Sequence, residues 1–261
     1  MFWTGDRVKE QHIVTLKCFL KKEDIVLPDK EEPKMNARRH QGNVNLDSEV
    51  NRLAATPPSV VQRLLLACGV VGPVLFIVTF LIEGVTRPGY NSLVFPVSAL
   101  ESGPLGWIQV ANFIVFGFFI GGFAVGLRKA LVGGIGVIWL PLLEGVVALG
   151  LLGDGIFTHD PLHTVCDVVT FTSALVVCII FARRFAGDSR WRGWATYSIV
   201  TGILLVVFLT TFGVAMTHHG PAGLFEKLAI LVRAIWTILL AARLLVRPGR
   251  LSPQEEIQLT F

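Results

Sequence analysis

Six apolar runs, at residues 64–82, 105–127, 131–152, 161–182, 194–216 and 224–245, leave this chain few ways to fold. A helix rises about 1.5 Å per residue, so about 20 apolar residues cross the hydrocarbon core of a bilayer. Each run meets that length. With 52% hydrophobic and only 16% charged residues in 261, the chain is too apolar for an ordinary soluble domain. The expectation is an all-α polytopic membrane protein, a bundle of six transmembrane helices over residues 61–247.

The flanks differ. Residues 1–60 carry ten Lys/Arg and nine Asp/Glu with Pro57-Pro58, and cannot bury much apolar surface. They are expected to form a disordered cytoplasmic tail, with Met35 an alternative start and no signal peptide. A second cytoplasmic tail is expected over residues 248–261. From residue 61 onward there are thirteen Lys/Arg, and placing the N-terminus inside puts ten of them in the cytoplasm. The positive-inside rule then places both termini there, in a plasma or inner membrane. The +4 net charge follows the ends of the spans, which excludes nucleic acid as a partner and leaves the lipid bilayer. The four cysteines form no CxxC pair, so neither a disulfide framework nor a zinc ribbon is indicated. Trp107, Trp191 and Trp194 fall where interfacial aromatics belong.

Within the spans, Asp160 is placed as N-cap of the fourth helix and Pro161 as its first residue. Gly117-x-x-x-Gly121 and Gly122-x-x-x-Gly126 on the second span allow close helix approach, inside one bundle or across a dimer seam. Ser98-x-x-Glu101 reads as a capping box opening a short helix in the loop after the first span.

Ionisable groups within a bilayer are costly and mark sites. Glu144 lies about 12 Å from the outer end of its span and Arg233 about 14 Å, so the two are expected to pair, with Asp167 as competing partner. His163, Cys166, Asp167 and Thr170 share one helix face. Glu83, Asn112, Glu144, His159, His163, Asp167, His218, His219, Glu226 and Arg233 are assigned to a ligand pocket in the outer leaflet. No cofactor is expected on composition, but His163, Asp167, His218 and His219 make a ligand set that admits zinc. Glu144 or Asp154 would then serve as catalytic base.

Several blocks resemble one family. They are Arg87-Pro88-Gly89-Tyr90-Asn91, Pro96-Val97-Ser98-Ala99-Leu100, Gly106-Trp107-Ile108-Gln109 with Asn112-Phe113, and Gly155-Ile156-Phe157 with Asp160 and His163. Trp191-Arg192-Gly193-Trp194 and Gly223-Leu224-Phe225-Glu226-Lys227 complete the set. Over residues 63–247 the chain is similar to the bacterial and archaeal membrane proteins grouped as domain of unknown function 998. That resemblance implies a six-helix integral membrane fold and no particular activity. The chain departs from the family pattern in having Leu162 where a Gly precedes the His, and in a second His at 159. The resemblance therefore assigns nothing to His159.

Four functions are open on this reading. The first is an outward-facing polar pocket for a small ligand or lipid head group. The second is a zinc-dependent intramembrane hydrolase of a lipid amide or ester. A proton-coupled transporter using Glu144, Asp167 and Arg233, and a carrier holding haem between His163 and His218, are the others.

Overall fold

The structure, a computed structural model, describes residues 59–131, 136–158, 160–186, 188 and 191–246. The tail expected through residue 60 lies outside them up to residue 58, as do His159 and residues 248–261. Six helices are long and apolar enough to cross a membrane. They are α1 (Val60–Thr86), α2 (Gly106–Ala130), α3 (Trp139–Ile156), α4 (Pro161–Phe185), α5 (Trp194–Thr217) and α6 (Ala222–Val246). Every helix packs on its neighbour in sequence, and α1 also packs on α6, so the six close into a ring.

Local chemistry sets the helix ends. The Ser59 hydroxyl accepts the Gln62 N–H at 3.2 Å and opens α1. Asp160 caps α4 by accepting the Leu162 N–H at 2.8 Å, with Pro161 in the first turn as the sequence predicts. The third helix departs from expectation, since α3 begins at Trp139 and not at Leu131. Leu131, the C-cap of α2, is extended, and Gly136 takes φ +85°, a left-handed conformation outside the helical region, so α3 begins only beyond it.

The glycine pairs of α2 are spent inside the bundle. A β-carbon on Gly117 would lie 2.8 Å from Leu152 of α3, and one on Gly126 would lie 3.0 Å from the Leu65 backbone of α1. The two motifs thus seat α2 against both its neighbours.

One end of the bundle is basic, with Arg128 and Lys129 closing α2, Arg183 and Arg184 closing α4, and Arg243 in the last turn of α6. Trp191 is buried there, not interfacial, with the Arg243 guanidinium 4.4 Å from its ring centroid. Trp107 at the opposite end is exposed.

That opposite end is roofed by the α1–α2 loop. Its 3-10 turn, Val97–Glu101, drives Val97 and Leu100 fully into the core. No side chain caps this turn through Ser98, so the capping box expected there does not form. Glu226 of α6 does that work from 129 residues away, accepting the Val97 N–H at 2.6 Å. Lys227 donates to the Phe95 carbonyl at 3.0 Å, and the Gly223 and Leu224 N–H groups donate to the Val94 and Leu93 carbonyls. Arg87 ties the other side of the loop, donating to Glu83 and to the carbonyls of Ser102 and Leu105. Burial pushes the Tyr90 phenol above its ordinary value, and Glu226 and Glu83 add to it. Its hydroxyl donates toward the Phe95 and Pro96 carbonyls.

Candidate functional site

Beneath the roof the ring encloses a chamber of about 70 Å³. Its walls are apolar: Phe76 from α1, Phe113 and Phe116 from α2, Leu151 from α3, Phe171 from α4 and Ile230 from α6. Against them stand four charged side chains, Asp154, Asp167, Glu226 and Arg233. No α5 residue lines the chamber among the described residues. The Asp167 side chain is 37% exposed while Asp154 is 1% exposed, so the polar rim runs from the surface inward.

Glycines bring the rim together. A β-carbon at Gly150 would lie 3.1 Å from the Cys166 carbonyl and would collide with Thr170, and one at Gly153 would collide with Cys166. Only bare backbone on α3 lets α4 approach this closely. Asp154 of α3 is thereby set against His163 and Asp167 of α4, with ligand atoms of all three within 4.8 Å of one another.

The His163 ring is oriented by its neighbours. Nδ1 lies 3.1 Å from the Asp154 backbone carbonyl. A carbonyl only accepts, so Nδ1 carries a proton, and of the two neutral tautomers this selects the one with its lone pair on Nε2. That Nε2 faces Asp167 Oδ2 at 3.6 Å. Glu101, on the roof, brings Oε2 to 3.9 Å from Nδ1.

Deeper in, Arg233 donates to Glu144 at 2.5 Å and to the Thr237 hydroxyl, and its guanidinium lies 4.8 Å from the Trp236 ring. Glu144 is fully buried. The pair expected from matched depths therefore forms, and Asp167 joins the His163 cluster instead.

The other pocket candidates divide. Asp167, Glu226 and Arg233 line the chamber, and Glu144 and His163 adjoin it through their partners. Asn112 is buried but spends its amide on the Phe76 carbonyl and the Gln109 side chain, a tie between α1 and α2. Glu83 is held by Arg87. His218 and His219 are exposed past the end of α5, one as its C-cap and the other at φ 54°. Neither joins the cluster among the described residues, so Asp154 occupies the place the sequence reading gave them. The haem reading loses its pair in the same way, with His163 turned into the bundle and His218 out of it.

Two contributors escape sequence reasoning. Glu101 reaches the cluster only because the roof folds back, and its one sequence signal, the capping box, pointed elsewhere. The phenyl walls come from three helices and carry no spacing that distinguishes them from ordinary core.

Burial, reinforced by the charge of Asp167, pushes the Glu101 carboxyl up to about 8 from 4.5. A raised carboxyl contributes fully to folding below its ordinary value and loses that contribution as pH rises toward its folded value. Melting temperature of the native protein should fall relative to Glu101→Gln between pH 4.5 and about 8. Parallel profiles for the two proteins would contradict this.

The family described as "Protein of unknown function (DUF998)" matches residues 70–243. No curated protein and no solved structure matches the chain.

Proposed function

Since the chain belongs to the DUF998 family of unknown function, we propose from geometry alone that it binds an amphipathic, lipid-like ligand. The apolar part sits among the phenyl rings of the chamber, and the polar group meets Asp154 and Asp167 at the rim. One observation carries this reading. The chamber walls are almost wholly apolar, yet carboxylates gather at the edge where Asp167 reaches the surface. The volume admits only a few water-sized groups. The chamber therefore takes one end of a ligand, whose remainder extends past the rim where Asp167 reaches the surface.

Orientation belongs to the same proposal. The basic end faces the cytoplasm by the positive-inside rule, so the roof and rim face outward. In a background without native cysteines, an impermeant thiol reagent on intact cells should label Ser102→Cys and spare Lys129→Cys. The reverse pattern would invert the assignment.

For ligand binding, the test is lipid analysis by mass spectrometry of purified protein and of Ile230→Trp, which fills the chamber. A species retained by the native protein should fall at least about tenfold in the variant, the equivalent of 1.4 kcal/mol. Equal retention by two monodisperse proteins would refute the chamber as the site.

A zinc-dependent hydrolase of a lipid amide or ester is the second reading, favoured by the ligand atoms of Asp154, His163 and Asp167 lying within 4.8 Å. Glu144 is no free base for such a reaction, because Arg233 holds it. Glu101, beside His163, is the carboxyl better placed for that role.

A further inference from the structure

We propose that Asp154, His163 and Asp167 form a binding site for one divalent zinc-like ion, with the remaining coordination positions open. Three observations independent of any bound lipid support it. The first is the histidine. Its Nδ1–H is committed to the Asp154 backbone carbonyl, leaving a buried Nε2 with no hydrogen-bond partner. Metal-ligating imidazoles are held in this way, with the far nitrogen donating to a carbonyl or carboxylate so that the lone pair points at the ion.

The second is the aspartate. Asp154 is 1% exposed and its Oδ1 has no donor, although a buried carboxylate oxygen without a partner is strongly disfavoured. Asp167 and Glu101 stand close by, so up to three carboxyl groups surround one imidazole in a low-dielectric setting. The cations of this end are engaged elsewhere: Arg233 with Glu144, Arg87 with Glu83, and Lys227 with the Phe95 and Gly223 carbonyls. A divalent ion answers both the repulsion and the unpaired oxygen.

The third is fit. Three atoms within 4.8 Å of one another have a common point at most about 2.8 Å from each. Zinc bonds of about 2.0–2.2 Å to nitrogen and oxygen are reached by shifts of at most about 0.7 Å in each of the three side chains. One imidazole nitrogen with two carboxylate oxygens suits zinc better than magnesium or calcium, which take oxygen ligands. The open positions face the chamber rim, where a ligand's polar group or a water would complete the shell.

Zinc alone is the probe. Full-length protein in detergent is stripped with a chelator, desalted and titrated with zinc against a chromophoric competitor. The expected result is one ion per chain, with affinity at least about 100-fold weaker in His163→Gln and in Asp167→Asn. Asp167 is partly exposed, so that variant remains informative where Asp154→Asn fails to fold. The double variant His218→Ala/His219→Ala should bind within about threefold of the native protein, under 1 kcal/mol. Cobalt in place of zinc should give visible absorption that His163→Gln abolishes. Less than a tenth of an equivalent of zinc in monodisperse native protein overturns the site. So does undiminished binding by His163→Gln, or loss of binding in the His218/His219 variant. Lipid retention plays no part in these readouts, so the chamber reading and the metal site fail separately.

Discussion

Glu144→Gln and Arg233→Met should each lower stability by about 3–5 kcal/mol, while the double variant Glu144→Leu/Arg233→Met should be more stable than either. The reason lies in what each single change leaves behind. Glu144 is completely buried and Arg233 is 11% exposed, and each charge has the other as its ionic partner. Counted from the roofed ends of their helices, Ile156 and Ala222, the two residues lie about 17–18 Å along the axis, close to the middle of a ~30 Å hydrocarbon core. Removing one member strands the other in a medium that cannot solvate it. Removing both substitutes packing for a pair whose desolvation already offset most of its attraction. Against a typical total of about 5–15 kcal/mol, a single loss of that size is severe. Thermal melts with size-exclusion profiles in detergent decide the matter. A double variant as unstable as the sum of the singles would show that the two residues do not act as a pair.

Gly150→Val should be the most damaging of the conservative changes, unfolding the α3–α4 contact and abolishing the Asp154–His163–Asp167 cluster with it. The added β-carbon meets Thr170 and the Cys166 carbonyl, and a carbonyl within a helix cannot rotate away. Overpacking of this kind costs about 1–3 kcal/mol where side chains can yield, and more where the obstacle is backbone. The same helix supplies its own control. A β-carbon on Gly145 would meet nothing within 4 Å, so Gly145→Val should change stability by less than about 0.5 kcal/mol. Equal melting temperatures for the two variants would remove the close approach as the cause.

What could be read in advance followed from one-dimensional rules. Span length gave six helices, and Asp160-Pro161 marked the start of α4. Counting 1.5 Å per residue matched Glu144 to Arg233 across 89 residues of sequence. Helical spacing put His163, Cys166, Asp167 and Thr170 on one face, and Thr170 is buried against α3. Failures came where chain geometry overrode a local signal. An apolar run from Leu131 looked continuous, but the left-handed Gly136 delays α3 to Trp139. His218 and His219 lie at the right end of the right helix. A helix terminus fixes depth and leaves direction open, and theirs is outward. Asp154 was legible as a base and not as a ligand, because its approach to His163 depends on two glycines whose effect appears only when α3 and α4 meet.

The bond between α3 and α6 also imposes an order of events during biosynthesis. At about 5–20 residues per second, the 89 residues separating Glu144 from Arg233 take roughly 4 to 18 s to emerge from a ribosome. Throughout that interval the third helix carries an unanswered carboxyl group, and the roof segment waits for the hydrogen-bonding partners it will find on α6. Nascent chains arrested before Ala222 should be cleared by membrane proteases far faster than chains arrested after Val246.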